Sequence, residues 1–249
     1  MRDGALATVT LDRPDKRNAQ TPQMWRDLTA IGRDLLADDS VRVVVLRAEG
    51  ASFSAGLDRA MFGAGTDDEP GLAGLAAYSD EALDATIAGF QEAFTWWRDP
   101  RVVSIAAVQG HAVGAGFQLA LGCDLRVLAD DAQLAIKEPS LGLVPDLAGT
   151  KPLVDAVGYS RALEICATGR WVDAAEAVRI GLASVVVRRE ELDQAARDLA
   201  SALLAAPAGA VRATKGLLLE SAGRTHTEQQ AAERAAQAGR LRELAGGAG

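Results

Sequence analysis

Two nearly continuous runs of apolar, mostly β-branched residues constrain the fold of this chain more than any other feature. Residues 41–46 and 102–108 have the pattern of strands that are covered on both faces, as in a parallel sheet. Further strand patterns occupy residues 5–11, 124–128 and 184–187. Helical patterns alternate with these strands, at residues 21–36, 79–98, 115–121, 160–168 and 174–181. The alternation predicts an α/β architecture with parallel strand pairing.

Beyond residue 190 the pattern is helical only, with a break at Pro207 and an Ala-rich helix over residues 227–244. We therefore predict an α/β core over residues 1–190 and a helical C-terminal region over residues 191–249. Residues 63–74 (GAGTDDEPGLAG) are rich in Gly and acidic residues, which is typical of a mobile loop over a site or of a plain surface loop.

Composition and charge narrow the class of protein. Of 249 residues, 49% are hydrophobic and 24% charged, the balance of a globular protein with a sizeable core. The net charge is −8 and the basic residues are scattered, which argues against nucleic-acid binding. No targeting segment and no apolar run of about 18 residues is visible, so we expect a cytoplasmic protein without membrane contact.

Two glycine-containing turns predict backbone donors for an anion. A glycine-rich turn precedes the helix that begins near Ala115, and the free N–H groups of a helix start attract negative charge. Gly114 would let a ligand approach the backbone closely. The turn FSAGLD (residues 53–58) follows a strand and offers a second N–H, from Ala55. Two donors aimed at one point form an oxyanion hole, whereas purely structural glycines and a loop-capping Asp58 are the alternative.

Two carboxyl groups are predicted to lie at a poorly solvated site. Glu138 and Asp146 are eight residues apart and enclose an apolar segment bounded by prolines. Burial there would raise each carboxyl pKa toward the range useful for proton transfer; a surface pair capping a turn is the alternative. Gln118, one turn into the helix, can donate and accept hydrogen bonds but cannot take a proton. The two histidines have no partners at metal-ligand spacing, so no metal site is predicted.

These residues resemble the crotonase superfamily, the enoyl-CoA hydratase/isomerase family. The resemblance rests on ordered segments across most of the chain: LDRPDKRNA (11–19), VRVVVLRAEGASFSAGLD (41–58), AVQGHAVGAGFQLALGCDLRVLADDAQL (107–134) and EPSLGLVPDLAGT (138–150). It implies a fold of repeated ββα units with a helical C-terminal trimerisation region, in homotrimers or dimers of trimers. It also implies an acyl-CoA thioester as substrate, with coenzyme A as part of that substrate and no other cofactor.

The resemblance further implies roles for single residues. The N–H groups of Ala55 and Ala115 would hold the oxygen of a thioester enolate, and Ala55, Gly56, Leu57 and Asp58 would line the pantetheine and thioester. Leu57, Met61, Phe62 and the 63–74 loop would shape the acyl pocket. The basic C-terminal tail of many family members has no counterpart in LRELAGGAG, which leaves Lys16, Arg17 and Lys215 as candidates for the CoA phosphates, or as plain solvated charges.

Two departures from the hydratase pattern favour isomerisation. The family's hydratases use two glutamates, and the first of these positions is Gln118 here, while the second is Glu138. Asp146 is typical of the family's dienoyl-CoA isomerases, in which two carboxyl groups move a proton along the acyl chain. Double-bond isomerisation is the resulting prediction. Hydration or dehydration by Glu138 and a water held by Gln118 is the first alternative, and a non-catalytic acyl-CoA-binding scaffold is the second.

Overall fold

The computed structural model describes residues 1–66 and 71–246. The strands are β1 Arg2–Asp3, β2 Leu6–Leu11, β3 Val43–Ala48, β4 Val103–Val108, β5 His111–Val113, β6 Leu125–Ala129, β7 Gln133–Ala135, β8 Val172–Asp173 and β9 Val185–Val187. The helices are α1 Pro22–Leu36, α2 Leu72–Leu75, α3 Asp80–Thr95, α4 Ala115–Gly122, α5 Thr150–Val157, α6 Tyr159–Thr168, α7 Ala174–Arg179, α8 Leu192–Ala205, α9 Ala208–Glu220 and α10 His226–Gly246.

The strands form two sheets. The larger has the order β1-β2-β3-β4-β6-β9 and is parallel except for the β1–β2 pair, while the smaller has the order β5-β7-β8. Consecutive strands β4 and β5, and then β6 and β7, leave the larger sheet for the smaller one before a helix follows. The predicted α/β fold of repeated ββα units is thereby confirmed.

The apolar strand runs are buried on both faces, as their composition predicts. On one face of β3 and β4, side chains such as Val44 and Ala106 join the main core under α1, α3 and α4. On the other face, Val45 and Ile105 pack against α8. Burial of apolar area on both faces, at about 25 cal/mol per Å², makes these two strands the centre of the fold.

Local sequence signals set the boundaries of several helices. Helix α1 begins at Pro22 because the Thr21 hydroxyl accepts a hydrogen bond from the Met24 N–H at 3.2 Å and proline fits the first helical position. Ser79 caps α3 in the same way. Of the predicted 63–74 loop, residues 67–70 lie outside the described residues, and Leu72–Leu75 form the short helix α2.

From Leu192 onward the structure is helical, in agreement with the sequence pattern. Helix α8 covers the larger sheet, whereas α10 packs on α9 and buries no residue. Among the described residues no single helix is long and apolar enough to cross a bilayer; only the bent pair Arg189–Ala205 and Ala208–Gly223, angled at 105°, meets that criterion jointly by length and composition. The division at residue 190 and the trimeric or hexameric assembly stay predictions.

Candidate active site

A largely apolar cavity of about 250 Å³ lies between α1, α3 and the start of α4. Its walls come from aliphatic and aromatic side chains, and among the described residues the only carboxyl groups that line it are those of Glu138 and Asp146. Leu57 and Met61 line it as predicted, together with Leu72 and Leu75 of the short helix α2, whereas Phe62 is exposed. The remaining apolar lining includes Trp25, Ala76, Leu83, Ile87, Phe90, Leu143, Val144 and Leu147.

Glu138 begins a short 3₁₀ turn after β7 and is only 8% exposed. Its Oε1 accepts a hydrogen bond of 2.7 Å from Gln118 Nε2. Its Oε2 is buried and has no hydrogen-bond partner in the described parts of the chain. Burial, and to a smaller extent the charge of Asp146, raises the pKa of Glu138. One oxygen is therefore anchored and the other is free to accept a proton.

Asp146 lies in the loop between the 3₁₀ turn and α5, and its side chain faces the same cavity. Burial raises its pKa above the ordinary aspartate value. The loop is held from α3, because Gln91 Nε2 donates a hydrogen bond of 2.7 Å to the Asp146 carbonyl oxygen. Both predicted carboxyl groups thus meet at one apolar site, which excludes the surface-pair alternative.

Gln118 is fully buried on α4 and connects the segments that carry the two acids. While its Nε2 donates to Glu138, its Oε1 accepts from the backbone N–H groups of Leu147 at 2.9 Å and Gly149 at 3.4 Å. Gly149 has no room for a side chain, since a Cβ there would lie 2.7 Å from Gln118 Cγ. Gln118 is not among the residues that line the cavity, and both atoms of its amide are engaged within the protein.

The prediction that Ala55 supplies an oxyanion donor is wrong. Its N–H donates a hydrogen bond of 2.9 Å to the carbonyl oxygen of Arg17, so it is already engaged within the protein. Ala55 also lies outside the cavity lining. The hydrogen bond joins segments 38 residues apart, which is why the turn sequence alone could not reveal it.

The Leu57 N–H of the same turn, in contrast to that of Ala55, is not engaged within the described structure. The carbonyl oxygen of Gly56 accepts from the Gln20 N–H at 2.7 Å, and in a trans peptide the N–H of the next residue points the opposite way. No acceptor for the Leu57 N–H is present among residues 1–66 and 71–246, and none for the Ala115 N–H at the start of α4. Both residues line the cavity.

Close packing of glycines brings these two donors together. A Cβ on Gly56, whose φ is +86°, would lie 2.6 Å from the Val113 carbonyl oxygen and 3.8 Å from the Ala115 nitrogen. A Cβ on Gly114, whose φ is +52°, would lie 3.0 Å from Glu138 Oε1. Only glycine combines these φ values with such close approach. Gly114 therefore makes room for the carboxyl of Glu138 beside the donor at Ala115.

Three of the residues proposed to contact the rest of a CoA ester lie in or beside the FSAGLD turn. Lys16 and Arg17 are exposed next to the FSAGLD turn. The pKa of Asp58 in this turn is lowered mainly by its hydrogen bond from the Ala60 N–H, with smaller contributions from Arg13 and Lys16. Asp58 caps a 3₁₀ turn, accepting from the Ala60 N–H at 3.1 Å, and forms an ion pair with Arg13 at 3.1 Å. Its role in the structure is the loop-capping one.

Lys215 cannot bind a CoA phosphate in this structure, and that suggestion is wrong. The side chain is buried, and its Nζ donates to the carbonyl oxygens of Asp99 at 2.8 Å and Val102 at 2.6 Å. It also forms an ion pair of 2.7 Å with Asp124. These contacts tie α9 to the core.

Sequence reasoning missed three residues that surround the site: Gln20, Trp25 and Gln91. Trp25 lies on the apolar face of an amphipathic helix, which predicts burial but does not predict that the ring lines a cavity. The two glutamines belong to no sequence motif. In the described residues, no group of three or more His, Cys, Asp or Glu side chains could hold a metal ion.

Comparison with known proteins gives a consistent result. The family model described as "Enoyl-CoA hydratase/isomerase" matches residues 1–243. A Mycobacterium tuberculosis protein named "Probable enoyl-CoA hydratase EchA17" is 34% identical over 233 residues, which cover 94% of this chain and 84% of that protein. Another from the same species, named "Probable enoyl-CoA hydratase echA8", is 32% identical over 222 residues, covering 86% and 77%.

Solved structures agree in fold over nearly the whole chain. A Thermobifida fusca YX protein, provisionally described as an enoyl-CoA hydratase and crystallised with acetoacetyl-CoA, is 53% identical. The TM-score is 0.93, and the match covers 98% of this chain and 94% of that one. Its complex with CoA gives a TM-score of 0.92 at 52% identity, covering 98% and 93%.

Proposed function

Since the chain belongs to the enoyl-CoA hydratase/isomerase family, whose members act on acyl-CoA thioesters, we propose that it moves the double bond of an unsaturated acyl-CoA by way of an enolate. The observation that carries this proposal is the pair of buried carboxyl groups, Glu138 and Asp146, which open on one apolar cavity. Proton transfer by a positioned group of suitable pKa accelerates a reaction by a factor of about 10²–10⁴.

The first step is proton abstraction. Glu138 Oε2, which has no partner in the described structure, takes a proton from a carbon of the acyl chain. The electron pair of the broken C–H bond moves through the conjugated system to the thioester oxygen. There the Leu57 and Ala115 N–H groups stabilise the negative charge, because they are fixed donors that need no reorganisation.

The second step returns a proton at another carbon. Asp146 in its acid form donates a proton further along the chain, and burial, which raises its pKa, favours that form. One proton leaves and one arrives, so the product is an isomer of the substrate and no water is consumed. Exchange of protons with solvent restores the charge states of the two acids.

The amide of Gln118 supports isomerisation over hydration. Its oxygen is held by two backbone N–H groups and its nitrogen by Glu138, which commits it to positioning the acids. Apart from the two acids and the backbone donors, the part of the cavity wall that the structure describes is made of apolar side chains, and these fit a hydrocarbon acyl chain.

Hydration remains the second candidate, because the relatives carry names of hydratases. In that case Glu138 alone would activate a water, and Asp146 would contribute little. The two reactions therefore differ in their dependence on Asp146.

The test is turnover of a 3,5-dienoyl-CoA, followed by the absorbance of the conjugated 2,4-dienoyl product, with hydration of a 2-enoyl-CoA measured in parallel. We expect the 2,4-dienoyl product to form, and Asp146→Asn and Glu138→Gln each to slow it by about 10²–10⁴-fold. Asp155→Asn is the matched control, since that carboxylate is on α5 and pairs with Lys151 on the surface.

One outcome would overturn isomerisation in favour of hydration: the enzyme hydrates the 2-enoyl-CoA but does not turn over the dienoyl-CoA, and Asp146→Asn leaves the hydration rate unchanged. Binding of both esters without turnover would overturn both reactions and support the scaffold.

A further inference from the structure

A buried chain of hydrogen bonds connects the wall of the acyl cavity to the turn that carries the Leu57 donor. Trp25 Nε1 donates to Gln20 Oε1 at 2.8 Å, and Gln20 Nε2 donates to Ser54 Oγ at 3.3 Å. Ser54 Oγ in turn accepts from the Gly56 N–H at 3.3 Å and donates to the Asn18 carbonyl oxygen at 2.8 Å. Gln20 and Ser54 are fully buried, so each of these bonds forms in a medium of low dielectric.

Gln20 also holds both sides of Leu57 through its backbone. Its N–H donates to the Gly56 carbonyl oxygen at 2.7 Å, and its carbonyl oxygen accepts from the Asp58 N–H at 2.8 Å. The orientation of the Gly56–Leu57 peptide, and with it the direction of the Leu57 N–H, is therefore set by Gln20. A shift of this peptide would turn the donor away from the position of the thioester oxygen.

The other end of the chain faces the substrate. The Trp25 ring lines the acyl cavity and packs on Phe90, with ring centroids 4.8 Å apart. An acyl chain that fills the cavity would contact this ring. Displacement of the ring would distort the hydrogen bond from the indole N–H to Gln20 Oε1.

We propose that Gln20 is a positioning residue that couples the acyl-cavity wall at Trp25 to the oxyanion donor at Leu57. This inference rests on the enolate reaction proposed above. Gln20 does not touch the reacting atoms; it acts by fixing the Leu57 N–H where negative charge develops. An acyl chain seated against Trp25 therefore aligns the donor, and the chemical step responds to the fit of a remote part of the substrate.

The test uses acetoacetyl-CoA, whose enolate forms by loss of the C2 proton and absorbs in the near ultraviolet. The unmodified enzyme is compared with two single variants and with the double variant. Trp25→Phe keeps an aromatic ring in the cavity wall but lacks the indole N–H. Gln20→Met keeps the length of the side chain but lacks the amide. We expect each single variant to lower the enolate fraction of the bound ester and the isomerisation kcat by about tenfold, the effect of about 1.4 kcal/mol. KM should change less than twofold.

The double variant should lose no more than either single variant, because both substitutions break the same chain. Trp96→Phe is the control, since this indole lies outside the cavity lining and its N–H has no hydrogen-bond partner among the described residues. It should leave both KM and the enolate fraction unchanged, whereas the variants of the coupled chain should lower the enolate fraction with little change in KM. This split between KM and the enolate signal separates positioning from general loosening of the site.

An enolate fraction and kcat like those of the wild type in Trp25→Phe would overturn the coupling, and so would additive losses in the double variant. If Gln20→Met fails to fold, Trp25→Phe alone decides the matter. A wild-type enzyme that neither enolises acetoacetyl-CoA nor isomerises a dienoyl-CoA would instead overturn the proposed function itself, so the two failures are distinguishable.

Discussion

Gln118 donates a hydrogen bond of 2.7 Å to Glu138 Oε1, and the same amide accepts from the backbone just after Asp146. One neutral side chain thereby positions both acids of the site. An amide suits this place because it can donate to a carboxylate and accept from backbone N–H groups at once, whereas an ionised glutamate can only accept.

Replacing Gln118 with Glu should therefore change the pH profile of the enzyme. Two carboxyl groups within hydrogen-bond distance cannot both ionise easily, so the pKa of the pair rises and the base is available only at higher pH. We expect the acid limb of the kcat/KM profile to move to higher pH. Gln118→Met, which removes the hydrogen bond that lowers the pKa of Glu138 without adding a charge, should move the limb less. Profiles that superimpose would contradict the positioning role.

Glu138→Gln should stabilise the folded protein increasingly as the pH rises. Burial raises the pKa of Glu138 in the folded state, so its contribution to stability is complete below the unfolded value and is lost as the pH rises through the folded value. The free energy of unfolding of the variant relative to wild type, from urea denaturation between pH 4 and 8, should increase with pH.

Glu191→Gln provides a control of opposite sign. The pKa of this exposed group is lowered by its hydrogen bond to Arg188, so removing the carboxylate should lower stability as the pH rises. A flat difference curve for Glu138→Gln would show that its carboxyl is not destabilised by burial.

Ala115→Pro should remove an oxyanion donor while keeping helix α4. Proline fits the first turn of a helix, and the Ala115 N–H has no partner to lose among the described residues. Gly114, at φ +52° and ψ −119°, is outside the right-handed helical region that a following proline disfavours, and it has no Cβ to clash with the proline ring. We expect kcat/KM to fall by about 10²–10³-fold, with thermal stability and circular dichroism close to wild type.

The control is Ala208→Pro at the first position of α9, where the preceding residue, Pro207, has a ψ of 129° that allows a following proline. Its kinetics should match wild type. A small effect of Ala115→Pro on turnover would remove this N–H from the oxyanion hole.

Substitution of the basic residues should separate CoA binding from stability. Lys16 and Arg17 are exposed beside the FSAGLD turn. Lys16→Ala and Arg17→Ala should raise KM for the CoA ester and change kcat little, because exposed charges act on binding. The readout is a comparison of KM for the CoA ester with KM for a truncated pantetheine ester, which lacks the nucleotide phosphates. Equal effects on both esters would exclude phosphate contacts.

Lys215→Met should change the stability of the protein and not its binding of the CoA ester. It leaves Asp124 without its buried cation and removes two hydrogen bonds to carbonyl oxygens, which should destabilise the protein by about 2–4 kcal/mol. KM for the CoA ester should not change. A rise in KM with normal stability would restore Lys215 as a phosphate ligand.

Much of the fold was predictable because the signals that set it are local. The strands at β3 and β4 and the start of α1 follow from apolar runs and from the Thr21-Pro22 cap, which act within a few residues. Element boundaries differ from the predictions by one or two residues at most of these positions, since fraying ends are decided by individual hydrogen bonds. For Glu138 and Asp146 the apolar segment between them left a surface pair open, and the resemblance to the family's isomerases favoured the acid/base role.

The sequence by itself determined the α/β architecture, the family and the two acids, because periodicity and ordered motifs carry that information along the chain. Only the tertiary structure decided which N–H groups face the cavity, what Gln118 does and where Lys215 lies. Ala55 is engaged by Arg17 and Lys215 by Asp124, partners that are 38 and 91 residues away in the chain. A hydrogen bond depends on direction and distance in space, and no spacing of residues along a sequence specifies either across such separations.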